Sequence, residues 1–189
     1  NAILAALAMQ KMSEGLRHDF AAAGFPEVNI GIGVNTGPMN VGDMGSNFRR
    51  AYTVLGDSVN LGSRLESVTK FYGVKILVGE SSYAQAPEFL YRRVDSIVVK
   101  GKSEPVTVYE PVCLLSEASA SRKERVSRFN EAVGYYCAQQ WDASADILRD
   151  LLAQDPERKL YQLYLERIAS LRDTDLGVGW SGVFEHANK

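Results

Sequence analysis

Apolar and polar positions alternate along this chain in two rhythms, and the switch between them predicts the elements. Ile3, Leu4, Leu7, Ala8, Met12 and Leu16 recur at helical spacing, which predicts an amphipathic helix over residues 3–23, stopped by Gly24-Phe25-Pro26. Val28 to Val34 is a strand-like run, and Asn35-Thr36-Gly37-Pro38 is a turn signal in which Gly37 is expected to supply the turn geometry. Residues 39–55 mix Gly42, Gly45 and Asn47 with β-formers, which suggests a long hairpin or arm. Asp57-Ser58 is expected to cap a second helix carried by Val59, Leu61, Leu65, Val68 and Phe71 and ended by Gly73. A short strand over Val74 to Val78, helical turns over Glu80 to Ala86, and strands over Phe89 to Val99 and Val106 to Val112 follow, an order that is α+β.

The rhythm changes again after a polar stretch, Ser116 to Ser121, which reads as a linker. Residues 122–172 are helical throughout: Phe129, Val133 and Tyr136 line one helix, Trp141, Ala145, Leu148 and Leu152 the next, and Leu160, Leu163, Tyr164, Ile168 and Leu171 a third. Residues 173–189 contain Gly177, Gly179 and Gly182 and are expected to be a loose tail.

Composition narrows the class. With 189 residues, 46% hydrophobic and 23% charged, the chain is neither disordered nor collagen-like. No apolar run approaches the roughly 20 residues of a membrane span, and no signal peptide is visible. The net charge of −2 gives no global basic field for nucleic acid. Cys113 and Cys137 form neither a disulfide framework nor a metal spacing, which fits a reducing compartment. Asn1-Ala2 opens directly into helix, so the chain reads as a piece of something larger or as carrying an expression scar.

The candidate chemistry lies between Gly31 and Glu66. Asn60 and Arg64 are four apart near a helix start and share a face. Arg is a permanently charged fork suited to phosphate oxygens, and a helix N-terminus adds N–H groups and a positive dipole end. Lys100 lies in a turn between two strands and offers a second phosphate cation. Together they suggest a polyphosphate ligand, although an Asn near a helix start and an exposed Arg are commonplace. Gly31-x-Gly33-x-x-x-Gly37 is one residue off a dinucleotide fingerprint, and its glycines do not lead into a helix. His18 and His186 lack metal-ligand spacing, and the pairs Arg49-Arg50 and Arg92-Arg93 read as solvated.

The run Gly31-Ile32-Gly33-Val34-Asn35-Thr36-Gly37, the run from Tyr52-Thr53-Val54-Leu55-Gly56-Asp57-Ser58-Val59-Asn60 through Arg64-Leu65-Glu66, and Val99-Lys100-Gly101 together resemble the class III nucleotidyl cyclase catalytic domain, bacterial adenylate type. The resemblance covers roughly residues 3–113 and implies the second half of a ferredoxin-like cyclase fold, followed by a small all-helical extension. It implies that Asn60 orients the ribose and Arg64 neutralises charge on the α-phosphate. Thr53 and the Val54 backbone would then face the base, and Lys100, with Lys102 as a weaker substitute, would hold the triphosphate. It also implies ATP as substrate, two Mg²⁺ or Mn²⁺ ions, a head-to-tail homodimer, cyclic AMP as an intracellular signal and a cytoplasmic location. The family's two metal aspartates and its adenine-reading lysine are expected upstream of this chain. Asp19 and Asp43 match no metal motif and read as solvated.

An enzyme piece and a catalytically silent cyclase-like module for dimerisation or nucleotide sensing both remain open, with guanylate cyclase as an alternative within the class. Tyr135, Trp141, Ala145, Leu148 and Pro156 fall near the positions of a tetratricopeptide unit. Only one such unit is clear where stable arrays need about three, which favours a helical hairpin packed on the catalytic domain.

Overall fold

The computed structural model describes residues 1–26, 29–46, 49–98, 105–177 and 179–183. Strands β1 (Ile32–Val34), β4 (Ile76–Gly79), β6 (Val106–Leu114) and β5 (Phe89–Ile97) form a mixed sheet in the order β1-β4-β6-β5. β1 and β4 are parallel and are connected through the arm β2 (Asn40–Ser46) and β3 (Arg49–Leu55), then helix α2 (Asp57–Tyr72). β4 and β5 both run antiparallel to β6. The alternation within β4 sorts the two faces. Leu77 joins the core beneath α2, while Ile76 and Val78 join a second cluster beneath α1 (Ala2–Ala22). Helix α3 (Glu80–Ala84) follows β4 and packs on the sheet near β6. The architecture is α+β.

Gly33 of β1 and Gly31 just before it let α2 close on the strand. A Cβ on Gly33 would collide with the α2 backbone at Gly62 and Glu66, and one on Gly31 would strike Thr69. Gly37 differs from expectation. Its φ is not positive, and its role is room, since a Cβ there would lie 2.9 Å from the Ser58 Cβ.

α1 turns a different face inward from the one its apolar spacing suggests. Ile3, Ala6, Gln10 and Ser13 are buried, while Leu4, Met9, Met12 and Leu16 are exposed. Gln10 faces inward because its amide donates to Ile30 O at 2.8 Å and to Lys75 O at 3.4 Å. It thereby satisfies the Ile30 carbonyl and gives a second donor to the Lys75 carbonyl, which also accepts from the Ile32 N–H at 2.9 Å.

The C-terminal helices α4 (Ala120–Cys137), α5 (Trp141–Gln154) and α6 (Lys159–Leu171) share one core with α2 and the sheet. The linker expected over 116–121 is shortened, because Ser119 caps α4 by accepting from the Arg122 N–H at 3.3 Å. The segment expected to be a loose tail is tied down across its described residues. Trp180 packs edge-on to Tyr136 at 5.1 Å and against Trp141 at 5.7 Å, and Gln139 donates to Gly177 O at 3.0 Å. One half-buried indole outweighs the freedom of three glycines.

β5 is irregular, and the helices complete it. Its pairing with β6 shifts register between Leu90 and Tyr91 and again between Arg93 and Asp95, and Tyr91 faces Pro111, which has no N–H. Asn130 of α4 donates to Tyr91 O at 3.2 Å and accepts from the Arg93 N–H at 2.8 Å. Tyr164 of α6 donates to Val94 O at 2.9 Å. Arg92, expected to be solvated, is buried instead and pairs with Glu110, which also accepts from Arg158 at 2.5 and 2.7 Å. Burial pushes the Glu110 carboxyl up, but the two guanidiniums outweigh it and hold the group below its ordinary value.

Candidate active site

The site is built where the arm turns into α2. Thr53 pairs with Gly42 across the arm and Val54 with Val41, so the two residues lie on opposite faces of the ribbon near its base. Gly56 makes the turn into the helix. Its φ of 153° and the Pro38 carbonyl 3.2 Å from the place of a Cβ both favour glycine. Gly56, not Asp57 or Ser58, is the N-cap, and its carbonyl accepts from the Val59 and Asn60 N–H groups at 3.0 Å each. Asp57 and Ser58 lie within the first turn, where the Asp57 carboxylate complements the positive end of the helix dipole.

Asn60 is exposed in that first turn, and Arg64 is half-buried one turn further on. Neither side chain has a hydrogen-bond or ion-pair partner among the described residues. The rest of the turn is pinned. The Asn35 amide donates to Ser58 O at 2.9 Å, tying the α2 start to the end of β1, and Thr36 bonds Ser82 at 2.7 Å. Asn35 is a positioning residue that sequence reasoning did not single out, although it lies inside the glycine-flanked run that carries the resemblance. Its neighbours enclose a cavity of about 180 Å³ lined by Thr36, Asp57, Ser58, Leu61, Glu80 and Val106, among others.

Lys100 and Lys102 lie outside the described residues. The strands that flank them are described: Ile97 pairs with Val106, and Val106 lines the cavity beside Asp57 and Leu61. The ends of β5 and β6 that flank those two residues therefore lie beside the first turn of α2. Asp19 and Asp43 are both exposed, one on α1 and one in the arm. Among the described residues, no group of three or more His, Cys, Asp or Glu is placed to hold a metal ion.

Comparison with known proteins places this geometry. The model of the adenylate and guanylate cyclase catalytic domain matches residues 2–110, and the chain belongs to that family. It is 39% identical over 113 residues to the adenylate cyclase of Anabaena cylindrica, covering 58% of this chain and 22% of that protein. It resembles the crystal structure of the adenylyl cyclase CyaB from P. aeruginosa at 34% identity and a TM-score of 0.51, covering 60% of this chain and 58% of that one. The crystal structure of the guanylyl cyclase Cya2 aligns at 26% identity and a TM-score of 0.50, covering 62% and 59%. The chain spans less than a quarter of the length of the curated relatives it matches. Helices α4–α6 lie beyond the residues that the family model matches.

Proposed function

We propose that this chain is the transition-state half of an adenylate cyclase, acting within a protein that also carries the metal-binding half. The carrying observation is the pair Asn60 and Arg64, one turn apart at the start of α2 and without partners among the described residues, beside the arm that holds Thr53. A structural Arg at a half-buried position is ordinarily paired; one that is not is suited to receive an anion.

In the reaction the ATP 3′-oxygen attacks the α-phosphorus. The bond to the bridging oxygen of pyrophosphate breaks, and the 3′-hydroxyl proton leaves. Asn60 holds the ribose in line for attack. Arg64 donates to the α-phosphate oxygens as charge builds there, an effect that a preorganised cation supplies at little reorganisation cost. The Thr53 hydroxyl and the Val54 backbone face the base, and Lys100 holds the departing phosphates.

Two divalent ions are the family's usual complement, but the described residues do not fit them. We assign their carboxylates to a preceding segment. The free edge of β1, which pairs with β4 alone among the described strands, gives a strand from that segment a place to join. The exposed Met12 and Leu16 on α1 and Val41, Tyr52 and Leu55 on the arm support head-to-tail pairing of two such domains. Turnover of ATP into a cyclic AMP signal fits a cytoplasmic domain. Among the described residues, no helix is long and apolar enough to cross a membrane.

The test joins this chain to its metal-binding half and assays cyclic AMP formation with Mg²⁺ or Mn²⁺. Asn60→Ala and Arg64→Ala are expected to lower kcat about 10²–10³-fold with little change in KM, while the 189-residue chain alone makes none. Near-normal kcat in both variants removes Asn60 and Arg64 from the catalytic machinery, and no cyclic AMP from the joined protein returns the chain to the role of a silent dimerisation or nucleotide-sensing module.

A further inference from the structure

Two elements deliver the proposed site. α2 carries Asn60 and Arg64 at its start, and β5 ends at Ile97, three residues before Lys100 in the chain. The far end of α2 and the irregular half of β5 meet the same helix, α6. Tyr72, the last residue of α2, donates its hydroxyl to Asp95 of β5 at 2.6 Å, and Arg167 of α6 bonds the same carboxylate oxygen at 2.8 Å. All three residues are buried. One turn earlier on α6, Tyr164 donates to the carbonyl of Val94, the residue at the register shift. At the mouth of this contact Lys159, the first residue of α6, donates to Lys70 O at 3.2 Å and lies over the Phe71 ring at 5.9 Å. It crosses Gly73 so closely that a Cβ there would lie 2.6 Å from the Lys159 Cβ.

The geometry points to α6 as the positioning element of the cyclase site: Tyr164 and Arg167 lock the bulged half of β5 to the Tyr72 end of α2, and so set the Asn60–Arg64 turn against the end of β5 at Ile97. The functional part of this inference rests on the proposed cyclase reading. Three arguments carry it. A buried carboxylate shared by three elements has one low-energy arrangement, because any slip leaves a charge unpaired in a water-poor core. The Val94 carbonyl, thrown out of register by the bulge, is satisfied by α6. Finally, α2 is a rigid rod, so a shift where Tyr72 is held is carried to Asn60 and Arg64 at the other end. Tyr72, Tyr164 and Arg167 touch no substrate here; they act through α2 and β5.

The experiment has two arms. In the protein that includes the metal-binding half, Tyr72→Phe, Tyr164→Phe and Arg167→Met are expected to lower kcat at least tenfold with the KM for ATP within twofold, and Arg167→Lys to recover part of the loss. Each variant is first checked by circular dichroism to melt above the assay temperature. In the 189-residue chain, hydrogen exchange of Tyr72→Phe, the mildest change, is followed by mass spectrometry. Faster exchange is expected across 57–66 and 94–98, with α4 and α5 at wild-type rates. Exchange changes confined to α6 and the last turn of α2 overturn the proposal, as does an unchanged kcat in folded Tyr72→Phe and Tyr164→Phe. If the wild-type protein makes no cyclic AMP, the cyclase reading falls and the exchange arm alone decides whether α6 sets the α2 start.

Discussion

α1 and the arm present apolar side chains outward, whereas α4–α6 turn theirs inward. On α1 the exposed Leu4, Met9, Met12 and Leu16 flank an inner face that includes the polar Gln10 and Ser13. On α6, Leu160, Tyr161, Tyr164 and Ile168 are all buried, and no large apolar residue of the three C-terminal helices is exposed. Both regions are rich in apolar residues, so the difference is not one of composition. It is a difference in where the partner surface comes from. The C-terminal helices find theirs on the sheet of the same chain. α1 and the arm leave theirs exposed among the described residues, where the proposed head-to-tail pairing would cover them.

The comparison is sharpest where a substitution removes apolar bulk. Leu148→Ala in the middle of α5, where the side chain is fully buried, is expected to cost about 3 kcal/mol. Because one core joins α5 to the sheet, loss should appear as a single cooperative transition in urea followed by far-ultraviolet circular dichroism. Two separated transitions would show that the helices and the sheet are independent.

Glu110→Gln tests the polar part of the same interface and is expected to cost about 3 kcal/mol at neutral pH, since it leaves the buried Arg92 and the half-buried Arg158 without the carboxylate they share. The folded pKa of Glu110 is depressed, so its contribution is complete above its ordinary value of 4.5 and is lost as the pH falls from there through the folded value. The stability gap between wild type and Glu110→Gln should therefore narrow on acidification below that point. A gap that stays constant would mean the carboxylate is not held by its two guanidiniums.

Thr53→Ala in the enzyme with its metal-binding half should lower kcat/KM for ATP by about one hydrogen bond, 0.5–1.5 kcal/mol, with GTP turnover remaining poor. A wild-type preference for GTP would instead favour the guanylate alternative. The smallest expected effect belongs to the outward face. Met12→Gln with Leu16→Gln should change the stability of the 189-residue chain by less than about 0.5 kcal/mol, yet weaken self-association of the complete domain in sedimentation. A large loss of stability in the chain itself would erase the distinction between the two regions.

Much of this was legible from local chemistry. Glycine and proline punctuation marks the ends of α1 and α2, because glycine enters the left-handed region at low cost and proline fixes φ and removes a donor. The pair Asn60 and Arg64 could be read because four-residue spacing on a helix fixes a shared face. What could not be read depends on distant partners. Gln10 is buried because two carbonyls from other segments meet it, and Arg92 because Glu110 and Arg158 do. The link from Asp95 to Arg167 spans 72 positions, and no periodicity encodes it. The same holds for Trp180, which a glycine-rich stretch hides from any local rule.

That last residue has a practical consequence. The chain has only two tryptophans, and the rings of Trp141 and Trp180 lie 5.7 Å apart in the helical unit, with Tyr136 against both. Light absorbed at 295 nm is therefore taken up by the helical unit alone, and the emission that follows is a native optical reporter of its state. The cyclase half is dark at that wavelength, so nucleotide added to the site changes the signal only if the effect travels through the protein to the helices.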